Sequence, residues 1–150
     1  MELPHLLIIA AAATGTASLA GWGLWLARRW RRLKGELARE LQACGEAVLI
    51  APEAGSFRGA KEGYGRVKCN GVICATERRV IFQRLMGSRI EIALPEVVGI
   101  REARWFLQSC RVGWLHLIFI TRDGNEIGFY VRDNERWKRT LGFAGRREGS

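Results

Sequence analysis

Between Leu6 and Ala27 no side chain carries a charge, an unbroken run of 22 residues. A helix of that length spans about 33 Å at about 1.5 Å per residue, close to the hydrocarbon thickness of a bilayer. Thr14, Thr16 and Ser18 dilute the run, and their hydroxyls can bond back to backbone carbonyls. The charges that come next are dense: Arg28, Arg29, Arg31, Arg32 and Lys34, with Trp22, Trp25 and Trp30 around the same boundary. Residues 1–27 are therefore expected to form a transmembrane anchor. Trp22, Trp25, Arg28, Arg29, Trp30, Arg31 and Arg32 would lie at the membrane interface. The upstream flank offers only Glu2 and His5, so the positive-inside rule puts the N-terminus outside and the rest in the cytoplasm. The expected location is the inner (plasma) membrane, single-pass. A cleaved signal peptide would need a basic n-region that these residues do not supply.

Ala13, Ala17 and Gly21 recur every four residues and line one helix face. Either they let two such helices meet as a homodimer, or they are alanine-rich filler. All 24 basic residues lie at or after Arg28, with 14 of the 15 acids, so that part of the chain carries a net +10. Basic charge of this kind is drawn to anionic lipid. Residues 28–44 read as a basic juxtamembrane helix. Leu33, Leu37 and Leu41 are spaced four apart in it, a stripe suited to packing on the next domain or on a partner helix.

From Glu46 the period changes to short runs bounded by turns. Strands are expected at Ala47–Ala51, Arg66–Ala75, Arg79–Gln83, Arg89–Leu94, Glu96–Arg101, Trp114–Thr121 and Ile127–Val131. Gly55–Gly65 reads as a glycine-rich break, and Arg122-Asp123-Gly124-Asn125 as a hairpin turn. Asp133 is placed to cap a last helix carrying Trp137 and Leu141. Seven antiparallel strands of this spacing make a mainly β barrel or sandwich, and the final helix would close one end with Trp137 as stopper. Residues 45–143 form this domain in the reading, and 144–150 a basic flexible tail.

The stretch Gly71-Val72-Ile73-Cys74-Ala75-Thr76-Glu77-Arg78-Arg79-Val80-Ile81-Phe82 resembles the signature of GRAM and bacterial pleckstrin-homology-like (PH-like) domains. Ile92-Ala93-Leu94-Pro95-Glu96-Val97-Val98-Gly99-Ile100 is similar to a second segment of that family, and Asp123-Gly124, Phe129, Val131 and Trp137 complete the order. The resemblance covers about residues 46–142. It implies a PH-like fold and a non-catalytic binding module, with some members binding phosphoinositides or other anionic lipids. Around the first two strands, where lipid-binding members carry their basic site, stand Arg58, Lys61, Arg66 and Lys68. They are the candidate headgroup ligands, although Glu62 intrudes and the spacing departs from the family's pattern. Arg79 is read as a turn and packing residue.

No reaction chemistry suggests itself. His116 lies in a strand pattern, the four cysteines have no ligand spacing, and no phosphate-cradling glycine loop precedes a helix. No catalytic residue, cofactor or metal is assigned. A nucleic-acid partner is not expected either, because no aromatic ladder accompanies a basic strand face. The expected role is an adaptor or assembly factor binding a protein partner at the cytoplasmic membrane face, with anionic-lipid sensing as the alternative. Trp105, Phe106 and Leu107 are the residues to watch: an exposed contact or core.

Overall fold

The computed structural model describes the backbone of residues 3–143 and the side chains of residues 20–143. The expected tail at 144–150, and Ala13 and Ala17 of the small-residue stripe, lie outside the described side chains. The chain divides into two compact units, residues 1–32 and 33–150.

The first unit is the leading part of helix α1 (Leu3–Cys44). Trp22, Leu24, Trp25 and Leu26 are exposed, and the rings of Trp22 and Trp25 meet edge to face at 5.5 Å. The transmembrane helix expected over residues 1–27 is not upheld. Among the described residues no helix is long and apolar enough to cross a membrane. The described part of the uncharged run, from Ala20 to Ala27, is only about 12 Å of helix before the arginines begin. Residues 6–19 of the run lie outside the described side chains.

The second unit is mainly β: seven antiparallel strands and a C-terminal helix. The strands are β1 (Val48–Ala60), β2 (Cys69–Thr76), β3 (Arg79–Arg84), β4 (Arg89–Ala93), β5 (Val97–Ala103), β6 (His116–Thr121) and β7 (Glu126–Tyr130), and the helix is α2 (Asn134–Thr140). They join in one sheet of order β4-β3-β2-β1-β7-β6-β5. Strand β1 holds both halves, pairing with β2 from Val48 to Phe57 and with β7 from Ser56 to Ala60. The two outermost strands are consecutive in sequence, joined by a 3₁₀ turn at Leu94–Glu96. The sheet curls round a core that takes Phe57, Ile73, Phe82, Ile92, Phe119 and Phe129 from six strands. Alternation at Ile90/Ile92 and Ile127/Phe129 puts one face inward, as the period-2 pattern requires.

Asp133 caps α2 as expected, its carboxylate accepting from the Arg136 N–H at 3.0 Å. Trp137 is fully buried on the core, edge-on to Phe119 at 6.2 Å, and its indole N–H donates to Glu53 at 2.9 Å. This is the end stopper read from the sequence.

Strand β1 is much longer than the five residues expected. The glycines taken for a break are strand residues with steric reasons to be glycine. A Cβ on Gly55 would stand 2.7 Å from Ile73 Cγ2, and Gly59 has φ +120° where the pairing with β7 shifts register. Conversely, β2 starts only at Cys69, so Arg66 and Lys68 lie in the connection before it, not on one strand face.

The outward face of β2 and β3 is also dry. Val72, Cys74 and Ile81 point away from the core yet are fully buried, as are Leu33, Leu37 and Leu41 of α1 within 4%. Arg89 of β4 fastens the helix here, donating to both oxygens of Glu40 at 2.5 and 2.7 Å. The leucine stripe therefore packs on its own domain. This burial pushes the Cys74 thiol up to about 12. At the β2–β3 turn, the buried Thr76 hydroxyl donates to Glu46 at 2.7 Å and accepts from the Arg78 and Arg79 N–H groups. Arg79 reaches Glu46 and Glu91, each at 2.8 Å. Thr76 and Arg79 hold the Glu46 carboxyl below its ordinary range. Arg79 is thus a turn residue, as expected.

Candidate docking surface

Residues 104–115 connect β5 to β6 by folding back over the outward face of β1, β7 and β6. The excursion holds two tight turns, bridged Phe106 to Ser109 and Arg111 to Trp114. At the first, Leu107 (φ 43°) and Gln108 (φ 58°) are both left-handed without being glycine. Such backbone costs about 1–2 kcal/mol per residue and persists only where its surroundings hold it.

Those surroundings are specific. Phe106 is buried, its ring filling the space above Gly128 that any Cβ there would occupy. Arg58 donates from Nε and Nη2 to Ser109 Oγ at 2.9 and 2.6 Å. Lys68 Nζ donates to the Gln108 carbonyl at 3.0 Å. The Arg58 guanidinium also lies 4.9 Å from the centre of the Tyr130 ring, a cation–π contact. On Tyr130 stacks His116, at 4.4 Å and 28° between planes, and Phe106 adjoins His116 at 5.9 Å. His116 Nδ1 donates to the Ala103 carbonyl at 2.9 Å, which leaves Nε2 unprotonated in the neutral ring. Burial, then the nearby cations Arg58 and Lys68, hold the His116 pKa below its ordinary value.

What the clamp presents to solvent is apolar and cationic. Trp105 is 66% exposed and Val112, in the second turn, 96%; Trp114 and Leu115 are exposed as well. Arg104 and Arg111 are exposed beside them, Arg111 lying 4.6 Å above the Trp114 ring. No acidic residue occurs between Ala103 and Thr121. Beside the second turn opens a groove of about 730 Å³ of mixed charge, where Trp114 and Leu115 face Arg132, Asp133, Glu135 and Arg136.

The four candidate headgroup ligands do not converge on one empty point. Arg58 and Lys68 are brought together, both bound to the 106–109 turn. Lys61 turns to Glu126, at 3.1 Å, which also takes Arg101. Arg66 is exposed in the connection before β2. Of the interface set, Trp22, Trp25, Arg28, Arg31 and Arg32 are exposed, and Arg29 and Trp30 half-buried. Trp105, Phe106 and Leu107 part company: the tryptophan faces solvent, the phenylalanine is a plug, and the leucine side chain leans on Gly59. Trp114 and Leu115, expected in a strand, belong to the excursion. Neither Leu nor Gln is a turn-forming residue, so the local sequence carries no sign of the first turn.

No family model matches the chain. No curated protein matches it. Among solved structures it is similar to the C-terminal domain of an unknown protein from Leishmania infantum, at 13% identity. That match covers 73% of this chain and 94% of the other, with a TM-score of 0.47.

Proposed function

We propose that this chain is a non-catalytic binding module of pleckstrin-homology-like, GRAM-type architecture, acting as an adaptor or assembly factor at the cytoplasmic face of a membrane. The strand order, with its C-terminal helix on the core, supports the architectural half of this reading. The functional half rests on one observation. A strained turn at 106–109 is held by a buried aromatic plug and two cationic clamps, and the excursion it belongs to exposes Trp105 before that turn and Arg111 and Val112 after it. Strain kept in place by so many contacts is characteristic of segments that must present a surface in fixed form.

The test is photo-crosslinking in cells from the full chain, with a photoreactive amino acid in place of Trp105. Met86, 72% exposed in the β3–β4 turn, is the comparison position. Docking through the excursion predicts a discrete adduct from position 105 and none from position 86. Equal labelling from both, or none from either, removes the reading.

A second reading, recognition of an anionic headgroup by Arg58, Lys61, Arg66 and Lys68, finds support in the pairing of Arg58 and Lys68 on one turn. It requires those cations to exchange protein partners for phosphate oxygens. Salt-sensitive binding abolished by Arg66→Glu with Lys68→Glu, while Trp105→Ser binds normally, would favour it.

A further inference from the structure

We infer that residues 104–115 dock an acidic protein segment, one that sets carboxylates on Arg104 and Arg111 and an apolar side chain against Trp105 and Val112. This rests on the docking reading above and names the chemistry of its partner. The stretch holds no Asp, Glu or Lys. Its exposed side chains include Arg104, Trp105, Arg111, Val112, Trp114 and Leu115. Tryptophan and arginine are enriched where protein interfaces concentrate their energy, and lysine and the acids are depleted there.

The arginines of this stretch differ from others in the domain. Arg79, Arg89, Arg101 and Arg136 are each met by a carboxylate of the same chain. Arg104 and Arg111 have no ion pair among the described residues, and Arg111 lies over Trp114 instead. Beside the first turn, Arg66 is likewise exposed and unpaired among the described residues, next to Val67 at 74% exposure. The Lys68 bond to Gln108 ties that connection to the excursion. A guanidinium takes a carboxylate through two parallel hydrogen bonds, so an acidic partner supplies what the fold leaves unmet.

The groove beside the second turn bounds this face. Asp133 accepts from the Arg136 N–H at 3.0 Å, Glu135 takes Lys138 at 2.5 Å, and Arg136 pairs with Glu53. Its carboxylates are engaged within the chain, but they keep their charge. An acidic segment is therefore attracted over the excursion and turned away at Asp133 and Glu135, which limits where it can lie. A fluid leaflet would adapt to any disposition of these side chains. A strained turn held in one form is of use to a partner that has a form of its own. Docking also need not order the loop first, because Phe106, Arg58 and Ser109 already fix it.

The experiment places a photoreactive amino acid at position 112 of the full chain in cells, which leaves Trp105 and both arginines in place. It is repeated with Arg104→Glu plus Arg111→Glu. The comparison pair, Arg78→Glu plus Arg139→Glu, alters two exposed arginines elsewhere on the domain and gives the same net charge. Circular dichroism checks that each variant is folded, and Arg104→Gln, which only removes one exposed charge, should lower the yield in the same direction. An acidic partner predicts a discrete protein adduct from position 112, reduced about tenfold or more by the first pair and little by the second. The adducted partner peptide, sequenced by mass spectrometry, should carry Asp or Glu beside the crosslink. Replacing those acids by Lys should restore the adduct to the Arg104→Glu, Arg111→Glu protein. Equal loss in both pairs, no loss in the first, a partner peptide without acids, an adduct to lipid, or a silent position 112 overturns the inference. If position 105 still crosslinks to a protein in any of those cases, the partner's chemistry is wrong and the docking reading stands. If positions 105 and 112 are both silent, both fall.

Discussion

The ring of Phe106 occupies the space that a side chain on Gly128 would need, so strand β7 and the excursion are matched at one atom-sized position. Because Gly128 has ordinary strand backbone and only its Cβ is excluded, Gly128→Ala tests the plug directly. The substitution should eject Phe106 and release residues 104–115, at about 1–3 kcal/mol in stability. Hydrogen exchange of the Phe106 and Ser109 amides should rise before that of the core strands. Adding Phe106→Leu should recover part of the loss.

The helix–sheet layer gives a second expectation. Leu37 is 1% exposed, so Leu37→Ala should cost about 2–4 kcal/mol in urea unfolding. Glu40→Gln leaves the leucines in place and weakens only the pairing with Arg89. Both partners are partly solvated, so about 0.5–1 kcal/mol is expected, shrinking in high salt.

His116 should give the fold a pH dependence near neutrality. Its folded pKa is lowered, so below about pH 6.5 the unfolded chain binds a proton that the folded chain resists. Stability from this group is complete above that value and falls as the pH drops toward the depressed folded pKa. The slope should not exceed about 1.4 kcal/mol per pH unit for one proton. His116→Gln should flatten the stability profile between about pH 7 and 5. A slope unchanged by the substitution would mean that other groups carry it. The Glu40 and Glu46 carboxyls, lowered by their Arg89 and Thr76 bonds respectively, act in a separate window below about pH 4.5.

Thiol reactivity should separate the cysteines. Cys44 and Cys110 are exposed, while Cys74 lies under α1 with its thiol pushed up to about 12. An aromatic disulfide reagent at neutral pH should modify Cys44 and Cys110 quickly. Cys74 should react only on unfolding, and sooner in Leu37→Ala, where the covering helix is loosened.

How much of this was legible depended on whether a signal was local. Asp133, the Arg122–Asn125 turn and the alternation through Phe129 declare themselves within a few residues, and helix α2 and the last hairpin come from them. The Leu33-Leu37-Leu41 stripe likewise announced a packed face. Gly55 and Gly59 misled because their reasons are tertiary: Ile73 crowds one, and a register shift demands the other. The excursion was hidden for the same cause. Leu107 and Gln108 take up left-handed backbone only because Phe106, Arg58 and Lys68 hold the turn. The uncharged N-terminal run misled differently: its described part, Ala20–Ala27, is too short to cross a bilayer before the arginines begin.

Strand β1 is the one seam through which both meanders of the sheet are stitched, β2–β4 on one side and β5–β7 on the other. Dividing the gene anywhere between Lys61 and Lys68 would leave the first fragment its helix and seam without most of the cloth, and the second both meanders with nothing to join them. Neither fragment should be recovered folded by itself, whereas mixing the two is the condition under which each would acquire structure.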